Sequence, residues 1–186
     1  MKAVLAASFM AVPLLWARPS EGVIPGPVIV QNGSRHELVL PNAMERAIQD
    51  AVPGFEPWTL DAYDDDIQKH YSFTSRQAPW AVIGDFDGDG LPDLILDGHS
   101  GPKCFRLCVW GRATAPNVGT LASRVCGPVV RSGAVLMFVA PGEQGTNFSD
   151  DTTFIYTDAY LDYIWEKAGS TWYWKGGKWN EFVSSD

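Results

Sequence analysis

Positive charge is scarce in this chain: 14 Lys and Arg stand against 22 Asp and Glu, a formal net charge of −8. Nucleic-acid binding requires clustered Lys and Arg to neutralise phosphates, and that resource is missing. The same imbalance opposes docking on anionic lipid. Histidine is rarer still. His36, His70 and His99 are scattered and no Gly-x-Ser-x-Gly occurs, so a Ser-His-Asp hydrolase has no recognisable parts. After residue 16 no apolar run is long enough for a membrane-spanning helix. No low-complexity tract or linker divides the remainder, which reads as one domain over residues 18–186.

Cysteine is almost absent, with Cys104, Cys108 and Cys126 the only three. No histidine stands at ligand spacing from them, which argues against zinc. Cys104 and Cys108 lie about 13 Å apart on an extended strand at ~3.3 Å per residue, too far to bridge each other. A chain reversal around Asn117 brings Cys108 towards Cys126. The expectation is therefore a Cys108–Cys126 disulfide, with Cys104 left as a buried thiol. Such a bond needs an oxidising compartment. The first residues point the same way: Met1-Lys2, an uncharged and mostly apolar run to Trp16, then Ala17. Residues 1–17 thus have the layout of an export signal, too short to span a bilayer comfortably. No cysteine follows to carry a lipid anchor. A secreted or periplasmic location is expected.

What the chain does have is a dense acidic loop. In Asp85-Phe86-Asp87-Gly88-Asp89-Gly90-Leu91-Pro92-Asp93, carboxylates occupy positions one, three, five and nine, with glycine at six. Calcium takes six to eight oxygens at about 2.3–2.6 Å, and side chains two apart on a curling backbone converge on one point. Leu91 at position seven would supply its backbone carbonyl, and Gly90 permits the sharp turn. Without an ion the carboxylates repel one another, so a compensating positive charge is expected nearby. The candidate metal ligands are Asp85, Asp87, Asp89, Leu91 and Asp93, and the expected cofactor is Ca2+.

The flanks decide the kind of loop. Trp80-Ala81-Val82-Ile83 precedes it and Leu94-Ile95-Leu96 follows, short runs that favour strands. Leu96 stands where an EF-hand carries its bidentate glutamate. Over residues 80–97 the chain resembles the FG-GAP and VCBS-type repeats and the calcium loops of integrin-like β-propellers, in which DxDxDGxxD bridges a hairpin. That resemblance implies side-chain ligation by Asp85, Asp87, Asp89 and Asp93 and a carbonyl from Leu91. A propeller needs several repeated blades, and no second DxDxDG occurs. The chain as a whole also resembles small, uncharacterised bacterial secreted proteins with one such loop and a tryptophan-rich C-terminal hairpin. Asp85-x-Asp87 after an apolar strand also resembles haloacid-dehalogenase-like phosphatases. Those want Thr or Val two residues after the second Asp, where this chain has Asp89, and crossover helices that the β-rich remainder does not offer.

Elsewhere the pattern predicts one helix and many strands. Asn42 reads as a cap, and Leu40, Met44, Ala47, Ile48 and Ala51 recur at helical spacing before Pro53-Gly54. The acidic run 61–66 follows a turn at Phe55-Glu56-Pro57-Trp58 and lacks the glycine and one-three-five spacing of a second calcium loop, and 142–146 reads as a loop. From Trp80 onward strands are expected at 80–84, 93–97, 103–111, 121–130, 134–139, 152–157, 161–168, 170–175 and 178–183. Gly176-Gly177 marks a tight hairpin between Trp174 and Trp179. Trp172 and Trp174 share one strand face with Trp179 across from them. They serve either core packing or, as exposed indoles, stacking on a glycan. The sequence thus predicts an α+β fold: an antiparallel β-sheet, one N-terminal helix and a calcium-binding hairpin loop. The expected role is a non-catalytic calcium-binding module. Its alternatives are a carbohydrate-recognition module using the tryptophans and, more remotely, a phosphohydrolase; a glycan or protein partner is left open.

Overall fold

The apolar runs on either side of the acidic loop become the middle of a six-stranded antiparallel sheet. The computed structural model describes residues 26–33, 35–112, 115–126, 132–145 and 152–185; residues 1–17, where an export signal is expected from sequence, lie outside them. The chain opens with a hairpin, β1 (Val28–Asn32) and β2 (Arg35–Val39), followed by helix α1 (Asn42–Ala51) and the short strand β3 (Glu56–Pro57). A 3-10 turn at Leu60–Ala62 leads to α2 (Asp65–His70) and β4 (Gln77–Ala78). Then come β5 (Ala81–Gly84), β6 (Asp93–Ser100), β7 (Lys103–Trp110), β8 (Asn117–Val125) and β9 (Ala134–Val139). The chain finishes with β10 (Gly142–Gly145), β11 (Thr152–Ile155), β12 (Ala159–Ile164), β13 (Ala168–Lys175) and β14 (Lys178–Ser185).

The large sheet runs β4-β5-β6-β7-β8, with β3 pairing the second half of β6. A second sheet has the order β14-β13-β12-β9, and β1-β2 and β10-β11 are separate ribbons. This is the expected α+β fold, with one helix of more than two turns among the described residues. The central strands read as continuous apolar runs because both faces of the sheet are covered. Ala81, Ile83, Leu94, Leu96, Leu107 and Val109 face the side closed by Met44 and Ile48 of α1 and Ile67 of α2. Val82, Ile95, Cys108 and Trp110 face the other side, where Leu136, Tyr160 and the C-terminal tryptophans pack. Strands buried on both faces lose the polar–apolar alternation of a half-exposed sheet.

Polar bonds tie the two sheets together. Leu136 N–H donates to the Pro79 carbonyl at 2.9 Å, and Phe138 N–H to Gln77 Oε1 at 2.8 Å. Arg106 of β7 reaches Asp97 of β6 at 2.8 Å and Asp162 of β12 at 2.6 Å. A guanidinium's planar fork suits this double carboxylate contact.

Several expectations are corrected here. Asn42 is the first helical residue; Pro41 takes the cap position in an extended conformation, and no side chain caps the helix. The acidic run enters a second helix, α2, with Asp65 and Asp66 in its first turn and Lys69 and His70 in its last, matching the helix dipole at both ends. Ile67, wholly buried, anchors it. Residues 142–145 form a strand paired with β11.

The disulfide joins Cys104 to Cys126, with Cα atoms 5.5 Å apart, and Cys108 is the free, buried thiol. The expected Cys108–Cys126 bond fails because the chain reverses before Asn117, not around it. Trp110 faces Asn117, so Cys108 sits opposite Gly119 and Cys104 opposite Arg124, two residues short of Cys126. Burial pushes the Cys108 thiol well above its ordinary pKa, so it is inert as a nucleophile. The bond closes a chain separation of 22 residues. Cys104→Ser is expected to lower unfolding free energy by about 3 kcal/mol, from loop-closure entropy restored to the unfolded chain. Urea denaturation measures this, and peptide mapping of the unreduced protein, alkylated after unfolding in denaturant, should find only Cys108 modified.

Candidate metal centre

The acidic loop is the bend between β5 and β6, whose register pairs Gly84 with Asp93 and Ala81 with Leu96. Strand alternation carries on into the loop for three residues. Phe86 points inward and is wholly buried, while Asp85 and Asp87 on either side are turned towards the loop's concave surface. Phe86 lies 5.8 Å from the Trp179 ring and 6.4 Å from Tyr160. Gly88 and Gly90 adopt φ of 78° and 83°, the left-handed region in which a Cβ is unfavourable.

Backbone N–H groups curl the loop around its own carboxylates. Gly90 N–H donates to Asp85 Oδ2 at 3.0 Å, Asp89 N–H to Asp87 Oδ1 at 3.2 Å, and Leu91 N–H to Asp89 Oδ1 at 2.9 Å. The last two are side-chain-to-backbone turns two residues long, a habit of aspartate. Asp85, Asp87 and Asp89 each offer an oxygen within 4.8 Å of the others, a group with the reach to hold one metal ion. Asp85 Oδ1 is buried and has no hydrogen-bond partner, and the Thr157 hydroxyl oxygen is likewise buried and unpaired. Thr157 belongs to this neighbourhood: its methyl would meet a Cβ placed on Gly88 at 3.0 Å. A hard, oxygen-seeking dication suits this donor set, and the orphaned Asp85 oxygen is where such an ion would be felt most.

Asp93 stands apart from that trio. It is fully buried, and both of its oxygens accept backbone N–H groups: Oδ2 from Phe86 at 2.9 Å and Oδ1 from Gly111 at 2.7 Å. Burial pushes its pKa up to about 7, against those two donors and with a smaller push from Asp87 and Asp89. Gly111 is required for this contact, since a Cβ there would sit 2.3 Å from the Pro92 carbonyl oxygen. Leu91 is half-buried beside Gly111, and its N–H is engaged by Asp89.

Three residues of the site carried no signal in the linear motif. Arg112 donates to Asp87 Oδ2 at 2.7 Å and to Asp89 Oδ2 at 2.8 Å. It is the nearby positive charge that the acidic cluster required. Asp158 accepts the Asp85 N–H at 2.9 Å and, in return, its own N–H donates to the Asp85 carbonyl at 3.2 Å. Arg76 forms an ion pair with Asp158 and stacks over Phe138 at 3.9 Å. Register alone could have found Arg112. Val109 of β7 faces Leu94 of β6, so the residues just after β7 must pass the start of β6 where Asp93 lies.

Trp174 faces Trp179 across the Gly176-Gly177 turn, as expected from sequence, and both glycines have positive φ. Trp110 meets Trp174 at 4.7 Å and stacks with Trp179 at 5.7 Å. Trp172, Trp174 and Trp179 are half-buried against the cluster that contains Phe86. Trp110, Trp174 and Trp179 face one another, Trp179 meets Phe86 under the loop, and Trp172 packs against the same cluster, which favours the packing role over a sugar platform. Comparison with protein-family models, curated proteins and solved structures finds no match to this chain. The likeness to FG-GAP and VCBS loops therefore rests on the loop residues themselves. Among the described residues, no helix is long and apolar enough to cross a membrane.

Phe86→Ala should remove the loop's anchor and leave a cavity under it, lowering stability by about 3–4 kcal/mol in chelator. Urea denaturation reads the loss. Tryptophan emission of the folded protein should shift to the red as water reaches Trp179.

Proposed function

We propose that this chain is an exported, non-catalytic calcium-binding module in which one Ca2+ braces the bend between β5 and β6. The carrying observation is the convergence of the Asp85, Asp87 and Asp89 carboxylates, with Asp85 Oδ1 buried and lacking any partner. The Leu91 carbonyl and a remaining lone pair of Asp93 complete the proposed donor set, since a carboxylate oxygen that accepts one hydrogen bond keeps further acceptor capacity. The seven-oxygen preference of calcium and its longer bonds suit an open loop of this kind better than the tight octahedron of magnesium at about 2.0–2.1 Å. A weak site of the extracellular class, with Kd of ~10⁻⁴–10⁻³ M, would be half-filled or better at about 1 mM calcium and contribute about 0.4–1.4 kcal/mol by mass action.

Calorimetric titration with calcium, against magnesium as control, tests the reading. Wild type should bind one calcium and melt higher in its presence. Asp85→Asn should lose both effects while melting in chelator as high as wild type or higher, because the unpaired oxygen it replaces stabilises nothing without an ion. Absence of calcium uptake by wild type at 10-fold the upper Kd, on the order of 10 mM, would end the proposal. So would an undiminished calcium shift in Asp85→Asn.

A further inference from the structure

The ion-free loop already contains a cation, Arg112, and its two contacts fall on oxygens that a bound metal would need. Its guanidinium bridges Asp87 Oδ2 and Asp89 Oδ2 at 2.7 and 2.8 Å, so two of the three converging carboxylates are drawn to one side. The third is left over. Arg112 pairs with Asp87 and Asp89 and not with Asp85: Asp85 Oδ2 accepts the Gly90 N–H, and the buried Oδ1 has no hydrogen-bond partner. We infer that Arg112 is a resident counter-ion of the loop, which calcium must displace from Asp87 and Asp89 to bind.

This inference rests on the calcium reading above and adds its control element. The root of the arginine is fixed. Gly111, its neighbour, is pinned by the 2.7 Å bond to Asp93, so the backbone at 111 cannot drift away from the loop. The head is free to leave, since the Arg112 side chain is 43% exposed and exposed ion pairs are weak. Tethered beside the carboxylates, the guanidinium competes at the high effective concentration of an intramolecular ligand. A dication converging on the same oxygens meets a fixed positive charge there. Exchange of one cation for the other relieves that repulsion and releases a long side chain to solvent. The device has two effects. It suppresses carboxylate repulsion when calcium is scarce, and it sets calcium affinity lower than three free carboxylates would give.

Calcium titrations of wild type, Arg112→Gln and Arg112→Lys test the exchange, together with the 15N-resolved Arg112 Nε–H signal. Arg112→Gln should bind calcium about two- to tenfold more tightly, the range expected when two exposed ion pairs no longer compete. Arg112→Lys, which keeps the charge but not the fork, should fall between. In chelator Arg112→Gln should melt below wild type, and its calcium-induced rise in melting temperature should be larger. The Arg112 Nε–H signal of wild type should shift and become more mobile on saturation with calcium. Unchanged or weaker calcium binding by Arg112→Gln would overturn the exchange while leaving the calcium reading intact, as would an Arg112 signal indifferent to calcium. Failure of wild type and both variants to bind calcium would remove the calcium reading itself, and the exchange with it.

Discussion

The buried carboxylate of Asp93 holds the acidic loop to the rest of the molecule. It is the first residue of β6, yet it bonds backward to Phe86 N–H and sideways to Gly111 N–H beyond the end of β7. One side chain thereby fixes the entry to the loop, its exit and the neighbouring strand end. A carboxylate buried this deeply is tolerated only with such partners, and leaving either donor unpaired costs about 1–3 kcal/mol. Everything displayed on the loop is measured from that anchor. Arg112 reaches Asp87 and Asp89 because Gly111 is held next door, and Gly111 is held by the Asp93 oxygen that Phe86 leaves free.

Charge and burial are sorted within the loop by the same two-residue alternation that builds the strands. Asp85-Phe86-Asp87 sends one ring into the core and two carboxylates towards the concave surface of the bend. The aromatic C-terminal hairpin then has a definite purpose. Trp110, Trp174 and Trp179 enclose a socket with Tyr160, and Phe86 closes it. Aromatic pairs at 5–6 Å in edge and tilted geometries add specific attraction to the area they bury. The tryptophan-rich tail and the acidic loop, far apart in the chain, are two sides of one construction. Asp158 strengthens the same connection from β12's side, exchanging two backbone-linked bonds with Asp85.

Much of this was legible in the chain because it depends on local rules. The aspartate spacing, the flanking apolar runs and the Gly-Gly turn identify the loop, its strands and the final hairpin without any tertiary knowledge. What escaped depends on register. The disulfide partner was misplaced because the reversal between β7 and β8 lies before Asn117, and a shift of a few residues exchanges Cys108 for Cys104. Arg112 was invisible for the same reason: it belongs to the site through strand pairing and not through proximity in sequence. Asp93 shows the opposite difficulty. Its place in the motif marks it as a ligand, and nothing in the spacing reveals that both oxygens are already engaged by backbone donors. The helix over Asp65–His70 was hidden by its acidity, although acids in a first turn and bases in a last turn favour a helix.

The loop's internal bonding also bears on what an ion would do there. Small zinc domains are unfolded until the metal arrives, because nothing else holds their ligands together. Here the bend is closed beforehand by Gly90, Asp89 and Leu91 N–H groups on the loop's own carboxylates, by Asp93 beneath and by Arg112 across the opening. An ion entering this site meets ligands already gathered, so little of its binding energy is needed to order the chain. It meets, in the same place, a guanidinium that has reduced the local negative charge. These effects oppose each other: preorganisation strengthens binding and the resident cation weakens it. Their balance would set the affinity of the calcium proposed for this bend, in a loop whose own hydrogen bonds and ion pairs already close it.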